Sequence, residues 1–126
     1  MTREDFESYI NAFNANDFDG FSRFYADDVD FQLGDRMHIV GRENIADFYR
    51  GIKAHFAETL TILDLVLAQD GACLHVYTKF ETIEDWPEFT MWPTKKGDVR
   101  EIESIILYKI RDGKFTHIKS ARFKEL

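Results

Sequence analysis

Residues 14–29 read NANDFDGFSRFYADDV, and this stretch marks where a helical pattern gives way to an alternating one. Asp17 belongs to the residue types that cap helix N-termini, and we expect it to start a short helix. The apolar residues that follow recur at helical spacing and form one face: Phe18, Phe21, Phe24 and Tyr25. Asp27 and Asp28 end this pattern, so the stretch predicts a second helix followed by a strand.

On the N-terminal side, Thr2 followed by Asp5 resembles a capping box. Apolar residues then recur at i, i+3, i+4 and i+7, namely Phe6, Tyr9, Ile10 and Phe13. This spacing predicts an amphipathic first helix that ends near residues 14–16 and forms a helical hairpin with the second.

On the C-terminal side, Val29, Phe31 and Leu33 alternate with polar residues and predict a strand. Gly34-Asp35 then turns the chain toward a short strand at residues 37–40. After Gly41 the helical spacing returns and predicts a third amphipathic helix, with its apolar face formed by Ile45, Phe48, Tyr49, Ile52 and Phe56.

The remaining half of the chain is strand-like. Residues 59–67, a turn at Asp70-Gly71 and the strand after it predict one antiparallel hairpin, in which Leu74, Val76, Thr78 and Phe80 face inward. Residues 99–110 and 115–123 predict a second hairpin across Asp112-Gly113. The resulting order, α-α-β-β-α-β-β-β-β, predicts a single domain over residues 1–126.

The segment of residues 84–97 lies between the two hairpins and contains both prolines of the chain together with Trp86 and Trp92. Proline excludes a central strand here. Three interpretations stay open for this aromatic segment: a lid over a pocket, a subunit contact or a plain surface loop.

Composition limits the partners. The formal net charge of −7 disfavours nucleic acid and anionic membranes. Cys73 is the only cysteine and the four histidines are scattered, so neither a disulfide nor a metal site is indicated. The N-terminus lacks an apolar signal-like stretch, and we expect a cytoplasmic protein.

Two of these stretches carry a family resemblance. Residues 14–20 with 24–29, and residues 41–45 with Phe48 and Tyr49, resemble the nuclear transport factor 2-like superfamily, within it the SnoaL-like and ketosteroid-isomerase-like group. Asp112-Gly113-Lys114 before the last strand is similar to that group as well. The resemblance implies an α+β, cystatin-like fold: a cone-shaped half-barrel in which a curved mixed or antiparallel sheet wraps around three helices. It also implies a homodimer.

The resemblance further implies catalytic tyrosines. Tyr9 falls where ketosteroid isomerases keep the tyrosine that donates a hydrogen bond to the substrate oxygen, and Tyr25 and Tyr49 fall where some members keep two further tyrosines. All three also lie on the apolar faces of the predicted helices. A buried phenol can stabilise a developing enolate, but core packing explains tyrosines among phenylalanines equally well.

The chain departs from the same pattern at the acids. Ketosteroid isomerases place carboxyl groups where this chain has Leu33 and Ile106, and SnoaL-type cyclases place one where it has Phe123. His117, in the last strand, is the histidine we expect as an acid or base. His117 and Lys119 share one face of that strand, and Ile118, Ser120 and Arg122 share the other. A bulge would exchange the face that lines the cavity.

These observations predict an enzyme without metal or nucleotide cofactor, acting by proton transfer on a small hydrophobic cyclic molecule as an isomerase, cyclase, dehydratase or hydrolase. The alternative is a non-catalytic homodimer that binds a ligand or a protein. The catalytic residues would be Tyr9, Tyr25, Tyr49 and His117. The substrate-binding wall would consist of Phe31, Leu33, Phe48, Phe80, Trp92, Ile106 and Tyr108.

Overall fold

The computed structural model describes all residues 1–126 and contains three helices and one six-stranded sheet. The helices are α1 (Arg3–Asn14), α2 (Phe18–Ser22) and α3 (Arg42–His55). The strands are β1 (Tyr25–Leu33), β2 (Met37–Val40), β3 (Phe56–Leu67), β4 (Gly71–Thr82), β5 (Val99–Arg111) and β6 (Lys114–Glu125). The element order expected from the sequence is confirmed. None of the helices has the length and apolar character that crossing a membrane requires.

Helix α1 begins as its sequence predicts. Thr2 accepts a hydrogen bond from the Asp5 backbone at 3.1 Å, and the Asp5 carboxylate accepts one from the Thr2 backbone at 2.8 Å. This capping box satisfies two amide groups that the first turn leaves free. The four residues of the predicted apolar face are all buried: Phe6, Tyr9, Ile10 and Phe13.

Helix α2 is shorter than its apolar spacing suggested. Asp17 caps it as expected, accepting a hydrogen bond from the Gly20 amide at 3.0 Å. The helix ends at Ser22, however, and Tyr25 is the first residue of β1. Phe24, in the turn after the helix, and Tyr25, at the start of β1, are both buried. They therefore continue the apolar spacing of α2 although they lie outside it. The placement of Tyr25 on a helix was therefore wrong.

The sheet is curved, open and mixed. Its strand order is β2-β1-β6-β5-β4-β3, in which β1 and β6 run parallel and every other pair is antiparallel. The β5–β6 hairpin turns at Asp112 and Gly113, whose φ angles are 53° and 72°. Two consecutive positive φ angles give the turn the twist that a tight hairpin needs. The predicted α+β half-barrel around three helices is confirmed.

Strand β4 shows which face of the sheet is inside. Leu74, Val76 and Thr78 are buried, whereas Lys79 is exposed and His75 only half-buried. The predicted alternation of β4 is therefore confirmed, with the inner face packed against the helices and the outer face open.

Strand β3 begins three residues earlier than the sequence analysis placed it. Phe56, assigned there to the third helix, is the first strand residue. As an edge strand, β3 has backbone groups that no neighbouring strand pairs. Asn14 satisfies two of them: its amide donates to the Leu60 carbonyl at 2.9 Å and accepts from the Leu60 N–H at 2.8 Å. The end of α1 thus holds the free edge of β3.

Removing this clamp should destabilise the fold. Asn14→Ala leaves both Leu60 backbone groups without their partner, and we expect unfolding free energy to fall by about 1–3 kcal/mol. Asn11→Ala, at an exposed position of the same helix, is the control and should change it by less than about 0.5 kcal/mol. Urea unfolding followed by circular dichroism measures both. Equal effects of the two substitutions would contradict the role of Asn14.

Candidate active site

A cavity of about 310 Å³ lies at the open end of the sheet. Its residues come from α3, from the β1–β2 turn, from β3 to β6 and from the segment between β4 and β5. The apolar wall includes Leu33, Phe48, Tyr49, Ile52, Phe80, Phe89, Met91, Trp92 and Ile102. The polar lining consists of Asp35, Arg36, Glu58, Ser104, Ser120 and Arg122.

The aromatic segment of residues 84–97 covers this cavity. Trp86 stacks on His55 at a ring distance of 4.1 Å and on Phe89 at 4.3 Å. Arg36 reaches across from the β1–β2 turn and donates from Nη1 to the Met91 carbonyl at 3.0 Å. Since Phe89, Met91 and Trp92 face the cavity, this geometry favours the lid among the three interpretations of the segment.

Glu58 is the only carboxyl group within the apolar part of the cavity lining. The residue is buried, with 8% of its surface exposed. No hydrogen bond from the protein shifts the pKa of its carboxyl group. Burial raises the pKa of this carboxyl from its ordinary 4.5 to about 7, while the charge of Lys53 acts in the opposite direction. Both protonation states are therefore accessible near neutral pH.

Lys53 lies next to Glu58 and anchors its main chain. The Lys53 ammonium donates to the carbonyl of Phe13 and, at 3.1 Å, to the backbone carbonyl of Glu58. It also lies 3.8 Å from the centre of the Phe13 ring. Burial lowers the pKa of Lys53 to about 8, and the neighbouring Glu58 carboxyl opposes this shift. Lys53 thus fixes the position of Glu58 through the backbone and leaves the carboxyl free.

Tyr49 is the one predicted catalytic residue that lines the cavity. Its ring packs at 5.0 Å from both Phe13 and Phe48. Burial, and then the negative charge of Glu58, raise the pKa of its hydroxyl well above the ordinary range. The hydroxyl consequently stays protonated and can donate a hydrogen bond to an oxygen atom in the cavity.

Tyr9 and Tyr25 lie in the core behind the cavity. Their hydroxyls are hydrogen-bonded to each other at 2.8 Å, and both residues are outside the cavity lining. The hydrogen-bond partner of Tyr9 in the core is thus Tyr25 and not the cavity residue Tyr49. Burial raises the pKa of both hydroxyls well above the ordinary range. Their predicted catalytic roles stay predictions.

His117 lies away from the cavity. Its side chain is exposed, and its Nδ1 is 3.1 Å from the Thr116 hydroxyl. The next residue, Ile118, is buried in the core, and Ser120, Ala121 and Arg122 line the cavity. This answers which face of β6 is inner, and His117 is on the other one. A role for His117 as acid or base stays a prediction without support from this placement.

The predicted wall residues divide into two groups. Leu33, Phe48, Phe80 and Trp92 line the cavity, whereas Phe31, Ile106 and Tyr108 belong to the packed core beneath it. Large aromatic rings keep the second group out of the cavity. Phe115 packs at 4.6 Å from Tyr108 and fills the core on the inner face of the sheet. The cavity is consequently displaced toward α3 and β3.

The sequence analysis missed Glu58 because it began β3 at residue 59. From Phe56 onward the inward positions are Phe56, Glu58, Leu60 and Ile62, so an acid stands in an otherwise apolar alternation. A charged residue at an inward position between buried apolar residues would have indicated a functional acid from the sequence alone. Placing Phe56 on the third helix concealed it.

A second hollow, of about 430 Å³, shares Phe80 and Trp92 with the first. Its charged residues include Arg100 and Glu125, whose side chains pair at 2.6 Å. Its other acid, Asp98, accepts hydrogen bonds from the Thr94 hydroxyl at 3.3 Å and from the Lys95 amide at 3.0 Å, so neither acid of this hollow lies unpaired as Glu58 does. The structure brings no three His, Cys, Asp or Glu side chains together as a metal-binding group.

The sequence matches the family model of the SnoaL-like domain over residues 6–118. No match was found among curated proteins.

Similar solved structures reproduce the fold. A provisionally assigned polyketide cyclase from Pseudomonas putida KT2440 is 22% identical, with a TM-score of 0.80, covering 96% of this chain and 91% of its own. A provisionally assigned ketosteroid isomerase from Kribbella flavida DSM 17836 is 17% identical, with a TM-score of 0.72, and the match covers 97% of this chain and 77% of the isomerase chain. An LEH-like epoxide hydrolase from M. tuberculosis is 13% identical, with a TM-score of 0.76, covering 94% and 80%. At these identities the likeness shows the fold alone.

The raised pKa of Glu58 should be visible in the pH dependence of stability. The folded protein retains a proton that the unfolded chain releases above pH 4.5, so stability from this group is lost as pH rises from 4.5 to about 7. Glu58→Gln removes this loss. Relative to the unmodified protein, the variant should therefore gain about 1–3 kcal/mol between pH 5 and pH 7.5.

The matched control is Glu81→Gln, at an exposed position of β4. Urea unfolding at a series of pH values compares the three proteins. A stability difference between Glu58→Gln and the unmodified protein that stays constant from pH 5 to 7.5, or that Glu81→Gln reproduces, would contradict the assignment.

Proposed function

This chain belongs to the SnoaL-like domain family, and we propose that it is a cofactor-independent enzyme that transfers protons on a small hydrophobic cyclic molecule. The observation that carries the proposal is the Glu58 carboxyl, which lies in an apolar cavity and has a pKa near neutrality. A general acid or base works best when its pKa is close to the operating pH. Glu58 fulfils this condition through burial.

In the proposed step, the Glu58 carboxylate removes a proton from a carbon next to a substrate carbonyl. The electron pair of the broken C–H bond moves toward the carbonyl, whose oxygen becomes an enolate. Tyr49 donates a hydrogen bond to this oxygen, and a phenol held in an apolar cavity stabilises the developing charge strongly. Glu58 then returns the proton to the same carbon or to another one.

The position of the base is particular to this chain. Where the resemblance to ketosteroid isomerases calls for acids, the chain has Leu33, which lines the cavity, and Ile106, which lies in the core. Glu58 approaches the cavity from the edge strand β3 instead. The proposed function of Glu58 is therefore a proton transfer, a step that isomerase, cyclase, dehydratase and hydrolase reactions all contain.

The second candidate function is a non-catalytic domain that binds an apolar ligand or a protein. The apolar residues at positions 33 and 106 favour it, because they remove the acids on which the related isomerases depend. A binding domain has no use for a titrating carboxyl inside its cavity, since an unpaired buried acid destabilises the fold. Exchange chemistry at Glu58 therefore distinguishes the two functions.

The enzyme function is tested with 2-tetralone, a bicyclic ketone, in deuterated buffer. We expect the protein to accelerate deuterium incorporation next to the carbonyl, measured by proton NMR. Glu58→Gln should lower this rate at least about a hundredfold and Tyr49→Phe about tenfold, because the first removes the base and the second a hydrogen-bond donor. Glu81→Gln should keep the rate of the unmodified protein.

The rate should also rise with pH through the pKa of Glu58, near 7, because only the ionised carboxylate accepts a proton. Exchange no faster than in buffer would replace the enzyme by the binding domain, and an undiminished rate in Glu58→Gln would refute Glu58 as the base.

For the assembly, we propose a homodimer formed through the outer face of the sheet. Val66, Leu107 and Phe123 are 67%, 50% and 61% exposed on this face. Val66 and Leu107 both lie beside Cys73 in the strand register, and Phe123 packs 5.7 Å from His75. A contiguous apolar patch of this kind is typical of a contact surface.

Charging the patch should dissociate the dimer. We expect sedimentation velocity to give a dimer for the unmodified protein at tens of micromolar, and Leu107→Glu to shift it to a monomer, because a buried unpaired charge opposes association. Val40→Glu introduces the same charge at an exposed residue of β2 and should leave the dimer intact. A monomer for the unmodified protein would reject this interface.

A further inference from the structure

Two arginines lie together on the rim of the cavity. Leu33 at the end of β1 is paired with Ser120 of β6, and the Gly34 amide donates to the Ser120 carbonyl at 2.7 Å. Arg36 follows this point on the β1–β2 turn, and Arg122 follows it on β6. Both arginines line the cavity, and each follows the paired residues Leu33 and Ser120 within about three positions along its own segment.

Arg36 has no ion-pair partner, and Arg122 shares its one carboxylate partner with a second arginine. Arg36 uses Nη1 for the Met91 carbonyl, which orients the group across the mouth. Arg122 approaches Glu125 only at 3.4 Å, while Arg100 pairs with the same carboxylate at 2.6 Å. Asp35, also on the rim, is exposed. The cavity lining thus holds two guanidiniums and two carboxyl groups, with Asp35 on the rim and Glu58 in the apolar wall, so the positive excess is confined to the rim.

This positive rim stands out against the rest of the molecule. The chain as a whole carries a formal net charge of −7, which repels anions at long range. The Met91 contact uses only Nη1 of Arg36, so the other N–H groups of this guanidinium remain available to a ligand. Guanidinium groups present parallel N–H donors that match the two oxygens of a carboxylate.

We infer that Arg36 and Arg122 hold a carboxylate of the substrate, and that the substrate is a small cyclic monocarboxylic acid. The ring system would lie against Phe48, Phe80 and Trp92, with its reacting carbon near Glu58. The inference rests on the proposed function for the reacting end of the molecule only. The two carboxyl groups of the lining, Asp35 and Glu58, oppose a phosphate monoester, which carries nearly two negative charges, more than they oppose a monoanion.

The cavity volume sets the size of this acid. About 310 Å³ is at the lower end of the range of small-molecule sites, so one or two rings fill it. A longer molecule would have to displace the segment that Arg36 holds at Met91. The rim therefore selects both charge and length.

The test compares 2-naphthoate with its uncharged amide, 2-naphthamide, by isothermal titration calorimetry. We expect the unmodified protein to bind the acid at least about tenfold more tightly, because a charge-assisted pair is stronger than a neutral hydrogen bond. Arg36→Gln and Arg122→Gln should each reduce this preference about fivefold or more, because the acid loses a charge-assisted pair and the amide only a neutral hydrogen bond. High salt should reduce the preference as well.

Three variants control the result. Arg111→Gln changes the same charge at an exposed position outside the cavity and should keep the preference. Arg36→Lys retains the charge and should keep most of it, which separates loss of charge from disturbance of the Met91 contact. Equal affinity for acid and amide, failure of both compounds to bind, or a preference unchanged in both arginine variants would overturn the inference.

Glu58→Gln separates this inference from the proposed function. The variant should abolish deuterium exchange into 2-tetralone and still prefer 2-naphthoate over the amide. Preference for the acid together with exchange no faster than in buffer refutes the enzyme and leaves the carboxylate site standing, whereas undiminished exchange in Glu58→Gln refutes only the assignment of the base. Exchange that depends on Glu58 without preference for the acid refutes the carboxylate site alone.

Discussion

The free edge of β3 is the constraint on which the rest of the structure depends. An edge strand must satisfy its outer backbone groups, and here two helices do so. Asn14, at the end of α1, binds both backbone groups of Leu60, and Lys53, on α3, binds the carbonyls of Phe13 and Glu58. These contacts set the distance between sheet and helices, and that distance leaves the space that becomes the cavity.

The same contacts explain how an acid can be held in an apolar wall. A buried ammonium compensates part of the cost of a buried carboxyl, since Lys53 opposes the rise in the pKa of Glu58. Because Lys53 binds the backbone carbonyl of Glu58 and not its carboxyl, the acid keeps its oxygens for the cavity. A direct ion pair would have lowered the pKa and removed the base from the neutral range. Lys53 thus acts both on the cost of burying Glu58 and on the pKa of its carboxyl group.

Most of the fold could be predicted from hydrophobic periodicity, because the helical faces of α1 and α3 and the alternation of β4 are long and regular. The errors occurred where two elements meet without a loop. Tyr25 follows α2, and Phe56 follows α3, so closely that each continues the apolar spacing of the helix before it. The candidate site suffered most, since the error at Phe56 concealed Glu58. The prominent Tyr9, in contrast, is committed to a hydrogen bond with Tyr25 in the core.

The position of Glu58 follows from the way in which the core of this chain is filled. Large rings such as Tyr108 and Phe115 fill the space beneath the centre of the sheet, and leave open the end bounded by α3, β3 and the aromatic segment. Ile106 packs against this core and is outside the cavity lining, so an acid at its position would not border the cavity. On β3, by contrast, an acid borders the open cavity and the ammonium of Lys53 is in reach. The site of the base therefore follows from where the core leaves room.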